Sequence, residues 1–218
     1  MYLPDHFSLS DPSALQRVMQ AHPLGTLVHP GPDGPDADHL PFEYDPTPGD
    51  ANPLGTLRAH VARANPLWQR CPTGTAVRVI FQGADGYISP SWYPSKHATH
   101  RQVPTWNYTV VHAVGRLVVR DDVRFLRGLV ARLTRHHEAA EPKPWKMGDA
   151  PADYIDDMLQ RIVGIEVVVT ALVGKAKLSQ NKAAEDRHGA AQALAARGHV
   201  ALGDAMARAA GEGAPPVR

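Results

Sequence analysis

Cysteine is nearly absent. Cys71 is the only thiol in 218 residues, which excludes an intrachain disulfide framework and any cysteine-rich zinc site. Net charge is nearly absent too: 23 basic and 22 acidic side chains leave a formal charge of +1. No global field therefore draws the chain onto DNA or a membrane, and a nucleic-acid contact needs a local patch. No apolar run reaches the ~20 residues that span a bilayer. Residues 1–7 lack the basic and apolar stretches of a secretory signal, so a cytoplasmic, soluble protein is expected. A GxGxxG after a strand, a P-loop, GxSxG and HExxH are all missing, as are carboxylates paired as in a glycosidase. What is there is globular composition. The chain is 43% hydrophobic and 21% charged, with 18 glycines and 20 prolines, enough for one domain with a sizeable core and a small appendage.

Asp11 as N-cap and Pro12 at the first helical position open a helix whose Leu15, Val18 and Met19 share one face up to His22-Pro23. Residues 24–29 read as a strand stopped by Pro30-Gly31-Pro32, and 39–44 as another. Residues 54–62 alternate apolar and polar until Asn65-Pro66 breaks them. The run 76–81 is β-rich, and Gly83-Ala84-Asp85-Gly86 is expected to turn it into 87–89. An irregular stretch, 90–104, then leads to a long strand at 108–119. Asp121 and Asp122 open a helix to about residue 137, with Phe125, Leu126, Leu129, Val130 and Leu133 on its apolar face. A loop holding Pro142, Pro144 and Trp145 precedes a helix at about 151–161, and the apolar, β-branched run 162–173 reads as a buried strand. Residues 182–210 carry 12 alanines in 29 positions and are helical by propensity, broken at Gly189, Gly198 and Gly203. Residues 211–218 are expected to be disordered. Six or seven strands without regular βα alternation argue against a doubly wound sheet and for a small antiparallel barrel with peripheral helices. The domain expectation is 1–181 for the barrel with inserted helices and 182–218 for an Ala-rich extension.

Three clusters could carry chemistry. The first joins His39-Leu40-Pro41-Phe42 to residues 57–66, where Arg63, Asn65 and backbone amides could hold an anion or could simply be a solvated strand end. The second, Ser89 to Lys96 and Val103 to Tyr108, sets two Trp and two Tyr near Lys96 and Arg101. It could form a lid over a flat aromatic ligand with an acidic tail, or a loop pinned by its own aromatics. The third, Lys175 to Asn181, is a polar run at the end of the most apolar strand, fit for a ligand or for a helix cap at Ser179 or Asn181. His97, His100 and His112 could ligate a metal or haem, but no pair has i, i+4 helical spacing, and no metal site is assigned. His136-His137 suits a helix C-terminus.

Six blocks stand in order: Tyr2-Leu3-Pro4 with Phe7; His39-Leu40-Pro41-Phe42; Ala59-His60-Val61-Ala62-Arg63-Ala64-Asn65-Pro66; Phe81-Gln82-Gly83 with Tyr87-Ile88-Ser89-Pro90-Ser91-Trp92-Tyr93; Val103-Pro104-Thr105-Trp106-Asn107-Tyr108; and Gly174-Lys175 with Lys177-Leu178-Ser179-Gln180-Asn181. Over about residues 1–195 this order resembles the PaiB-type family of FMN-binding negative transcriptional regulators. The resemblance implies a mainly β fold with peripheral α, a six-stranded antiparallel split β-barrel that forms homodimers with FMN at the interface. By the same resemblance His60, Arg63 and Asn65 hold the phosphate, and the backbone near His39, Pro41 and Phe42 faces the ring. Trp92, Tyr93, Lys96, Lys177, Ser179 and Gln180 close the site. It implies a regulator or a redox or metabolite sensor. The alternative is a flavin-dependent oxidoreductase like pyridoxamine-phosphate oxidases or flavin reductases, and a haem-binding or haem-degrading barrel is a third reading. No catalytic residue is identifiable beyond His60. DNA contact is not supported by the net charge, and its best local candidate is the face of Arg124, Arg127, Arg132 and Arg135 on the 122–137 helix.

Overall fold

A computed structural model describes residues 1–49 and 52–209. In chain order the elements are β1 (Ser8–Leu9), α1 (Pro12–Ala21), β2 (Leu24–Gly31), β3 (Gly34–Pro41), β4 (Glu43–Asp45), β5 (Thr56–Ala62), α2 (Leu67–Arg70), β6 (Ala76–Ile88), α3 (Pro94–Thr99), β7 (Thr105–Arg120), α4 (Val123–His137), α5 (Ala152–Gln160), β8 (Ile162–Lys177), α6 (Ala184–Ala195) and α7 (Val200–Ala209). The strands form one mainly antiparallel sheet in the order β3-β2-β6-β7-β8-β5-β4, with β1 added on β8. The chain divides into two compact units, one of Met1–Ala21, Gln82–Val111 and the described residues from Val173, the other of His22–Phe81 and His112–Leu172. Strands β6, β7 and β8 run through both. Among the described residues no helix is long and apolar enough to cross a membrane.

The sheet has eight strands where six or seven were expected. The additional ones are β1 and β4, of two and three residues, too short to show a period. Strand β3 pairs with β2 from Gly34↔Gly31 to Pro41↔Leu24 and is exposed along most of its length, so it has no buried face to read. The strand expected at 39–44 is interrupted at Phe42, whose N–H leaves the ladder to donate to the Pro23 carbonyl at 2.8 Å.

The turn expected at 83–86 does not exist; β6 runs unbroken through it. Burial alternates through Val77, Val79, Phe81 and Gly83, slips by one residue at Ala84-Asp85, and resumes at Gly86 and Ile88. Such a slip is the footprint of a bulge, which bends a strand without ending it. Gly86 serves close packing: a Cβ there would stand 2.9 Å from Leu202 Cδ2 of α7. The stretch 90–104 is likewise more ordered than expected, with a 3₁₀ turn at Pro90–Trp92 followed by α3. Of the three glycines expected to break the tail, only Gly198, at φ +86°, separates two helices. Gly189 and Gly203 lie inside α6 and α7, where a Cβ would meet the Trp92 carbonyl at 2.6 Å and the Ala191 carbonyl at 3.0 Å. The expectation for 211–218 lies outside the described residues.

Helix starts follow the caps. Asp11 accepts from the Ala14 N–H at 3.0 Å, and Asp122 from the Phe125 N–H at 2.7 Å. In the second unit α4 and α5 pack through Leu126, Ile155 and Leu159. Strand β8 is buried on both faces from Val163 to Val167, as its apolar run implies. In the first unit Ile88, Tyr93, Ala176, Leu178, Ala190, Leu194, Leu202 and Met206 form one core, so the Ala-rich helices are packed elements of that unit.

Candidate functional site

In the second unit, β5 and the end of β3 place Pro41 and His60 in the wall of a pocket of about 320 Å³. Its other walls come from Val130 and Leu133 of α4, from His137 and Glu138, and from Trp145. The His60 Nδ1 atom is buried without a hydrogen-bond partner. Buried polar atoms are almost always satisfied, so an orphaned one in a pocket wall marks a place for a ligand or a water. Burial pushes the imidazole pKa of His60 below its ordinary value. The ring is therefore neutral at pH 7, and Nδ1 donates or accepts according to its tautomer.

The other expected residues of this unit are engaged internally. Phe42 is buried, its ring edge-on to Phe81 at 6.0 Å, and belongs to the core. His39 is exposed on β3, paired to Thr26. Arg63 donates through Nη1 and Nη2 to Asp121 at 2.9 and 2.6 Å, and to the carbonyls of Gln160 and Ile162 at 2.6 and 3.1 Å. That fork ties the end of β5 to the start of β8, and it draws the Asp121 carboxyl below the usual carboxylate range. Asn65 donates to Asp38 at 2.7 Å and accepts the Leu67 N–H at 2.8 Å, which caps the short helix α2. Asp38 in turn faces Nε2 of the buried His29 at 2.9 Å.

In the first unit, Trp92 lies under the Arg197 guanidinium, 4.8 Å from the ring centroid, and edge-on to Tyr87. Tyr93 is fully buried. Its hydroxyl hydrogen-bonds Ser179 Oγ at 3.2 Å, and burial raises its pKa. Ser179 sits at φ +65°, where a non-glycine residue is strained, and is held there by Tyr93 and by the Asn107 side-chain amide at 2.9 Å. Asn107 Oδ1 is a second buried orphan, which the sequence reading had only as part of a motif. Gln180 closes a local loop, accepting the Leu178 N–H and donating to the Ala176 carbonyl. Lys177 donates to the Thr105 hydroxyl, and burial lowers its pKa, Lys175 adding to the effect against Tyr108. Lys96 is half-buried in α3. Among the described residues, neither lysine has a carboxylate within ion-pair distance. Nor do three His, Cys, Asp or Glu side chains converge as a metal site among the described residues. On α4, all four arginines of the outer face are exposed, but Arg127 is paired with Asp156 and Arg132 with both oxygens of Glu43.

The architecture is a mainly antiparallel sheet with several packed helices and a pocket at the end of its β3 and β5 strands. Residues 1–171 match the family described as "Putative FMN-binding domain", and the chain belongs to that family. It is similar to an uncharacterised protein of Aspergillus fumigatus, 35% identical over 217 residues, covering 80% of this chain and 83% of that one. It is also similar to the protease synthase and sporulation protein PAI 2 of Bacillus subtilis, 29% identical over 182 residues, covering 84% and 83%. In fold it resembles the flavocytochrome of Azotobacter vinelandii, with a TM-score of 0.56 at 12% identity, covering 78% and 69%. A further likeness is to an FAD- and haem-binding protein of Mycobacterium smegmatis, with a TM-score of 0.55 at 14% identity, covering 83% and 78%.

Two half-buried histidines of the second unit, His60 and His112, make stability pH-dependent. Burial lowers the pKa of His60, and burial followed by the Arg78 charge lowers that of His112. The unfolded chain takes up these protons near pH ~6.5, the folded chain only at lower pH. Their contribution is thus fully present above pH ~6.5 and is lost as pH falls through the folded values. Urea midpoints are expected to drop between pH 7.5 and 5.5, with a shallower drop in His60→Leu. Parallel curves for the two proteins would show that His60 is not buried neutral.

Proposed function

We propose that the chain binds FMN, assembles as a homodimeric split-barrel flavoprotein, and acts as a transcriptional regulator that senses redox state or a metabolite. The family's description supports the ligand, and the observation that carries the reading is the unpartnered His60 Nδ1 in its pocket. A volume of about 320 Å³ is at the small end of ligand sites, which suits part of a flat ring system. Bound FMN supplies one- and two-electron redox chemistry. Val130, Leu133 and Trp145 exclude water from the pocket, while neutral His60 offers a hydrogen bond to the ring edge. Arg63 is held by Asp121 and is not available to the phosphate. A direct contact with DNA would fall to Arg124 and Arg135, the two arginines of the α4 face outside the described ion pairs. A flavin-dependent oxidoreductase is the second reading. The same pocket favours it, because His60, His137 and Glu138 can each move a proton.

The purified protein is expected to show flavin absorption bands, to bind FMN more tightly than riboflavin, and to sediment as a dimer. His60→Phe is expected to weaken FMN roughly threefold to tenfold, the value of one neutral hydrogen bond. Failure to take up any flavin would overturn the reading, and a monomer with undiminished affinity would remove the dimer from it. Consumption of NAD(P)H by the loaded protein, with no mobility shift of upstream DNA, would favour the enzyme.

A further inference from the structure

Next to the His60 pocket, and sharing Thr134 and Trp145 with it, lies a second cavity of about 480 Å³. Its apolar wall includes Ala131 of α4, Pro144 and Met147, and its rim carries two cations, Arg135 and Lys146. Neither cation is in an ion pair among the described residues, although acidic side chains stand close in sequence. Two of those acids are committed to the backbone: Glu138 accepts the Trp145 N–H and Asp149 the Lys146 N–H, each at 2.9 Å. Successive amides of the loop are therefore clamped by carboxylates. The clamps fix the backbone at Trp145, whose side chain lines the cavity and is 42% exposed.

An indole lining a cavity offers a flat apolar face on which an aromatic ligand can stack. An indole on a fixed backbone, an apolar wall and two cations outside the ion pairs together define a ligand with a flat apolar body and a negative end. We infer that this cavity binds a small aromatic carboxylate, its ring against Trp145 and its carboxylate between Arg135 and Lys146. The last turn of α4 also gains from a cation opposite its dipole, which accounts for Arg135 at that position but not for Lys146 or Trp145 beside it. The inference does not rest on flavin binding.

The test is calorimetric titration of the full chain with 2-naphthoate and with uncharged 2-naphthalenemethanol. One 2-naphthoate per chain is expected, with the alcohol bound at least tenfold more weakly. Arg135→Gln with Lys146→Gln is expected to weaken 2-naphthoate by roughly tenfold to a hundredfold, leaving the alcohol unchanged. Trp145→Leu is expected to weaken both probes. These positions are at the surface, and an unchanged melting temperature certifies the fold of each variant. Equal affinity for the two probes, no binding of either, or a charge preference surviving in the double variant would overturn the inference. FMN is expected neither to displace 2-naphthoate nor to lose affinity in the double variant. One-for-one displacement would make the cavity part of a flavin site and overturn the inference, while supporting the flavin reading.

Discussion

Glu166→Ala is expected to cost about 3–5 kcal/mol, the usual consequence of leaving a buried ion pair half made. For a chain of this size that lowers the melting temperature by roughly 6–20 °C. Glu166 is 7% exposed on β8, whose faces are both covered there. One carboxylate oxygen accepts from Arg58 Nε at 3.0 Å, and the other takes a hydrogen bond from Arg120. Arg58 also donates to Asp45 at 2.9 Å, so removing Glu166 leaves one arm of a partly buried guanidinium without its acceptor. Glu166→Gln keeps the shape and one acceptor and is expected to lose less. A double variant, Arg58→Met with Glu166→Leu, removes both charges and is expected to recover much of the loss, because a pair's desolvation disappears with it. Guanidinium denaturation of these proteins and of the single variants Arg58→Met and Glu166→Leu measures this. If the double variant is as unstable as the sum of the single ones, Arg58 and Glu166 do not act as a pair.

Much of the framework was legible because it is local. Asp122 caps α4 and its apolar residues recur at helical spacing, so a window of fifteen residues suffices. The unbroken apolar run of β8 could be read without knowing what covers it, although the Glu166 inside it could not. Beyond the strands too short or too exposed to show a period, the failures depended on partners outside the local window. Gly86 looked like a turn residue because nothing nearby shows Leu202 packed over it. Gly189 looked like a helix breaker because the Trp92 carbonyl it approaches is nearly a hundred residues away. The same applies to the site. His60 was legible as a residue of interest, but an orphaned nitrogen is defined by what does not approach it. Arg63 was legible as a fork for an anion, and the anion beside it in the structure is Asp121, from the far end of β7. The side chains of Tyr93 and Phe42 are buried in the core, and an aromatic beside a turn carries no local sign of which way it points. The Trp145-Lys146 dipeptide read only as a loop because Arg135, the third member of its cavity, belongs to the preceding helix.

The second large loss is expected at Asp186, and there the effect is local before it is global. Asp186 is 2% exposed in α6. It accepts from the Ser95 N–H at 2.9 Å, from the Ser95 hydroxyl at 2.6 Å and from the Gln102 amide at 3.2 Å. Lys182 donates to the other end of the Gln102 amide at 2.7 Å. These bonds fasten α3 and the segment after it, which carry Lys96 and Arg101, to α6. Little apolar area helps them, since no residue of α3 is buried. Asp186→Ala strips a charge-assisted acceptor from three donors, a loss on the order of 3 kcal/mol. Because α3 has few other anchors, most of that loss should appear as opening of 94–102 rather than as unfolding of the unit. Trypsin is then expected to cut after Lys96 or Arg101 in the variant while the rest of the chain stays intact. Hydrogen exchange should quicken at His100, whose N–H closes α3 on the Lys96 carbonyl at 2.9 Å, and stay slow in the β6 core around Ile88. Asp186→Asn, which keeps one acceptor oxygen, should fall between the two. Equal acceleration at His100 and Ile88 would mean that Asp186 supports the whole unit and that α3 has no independent opening.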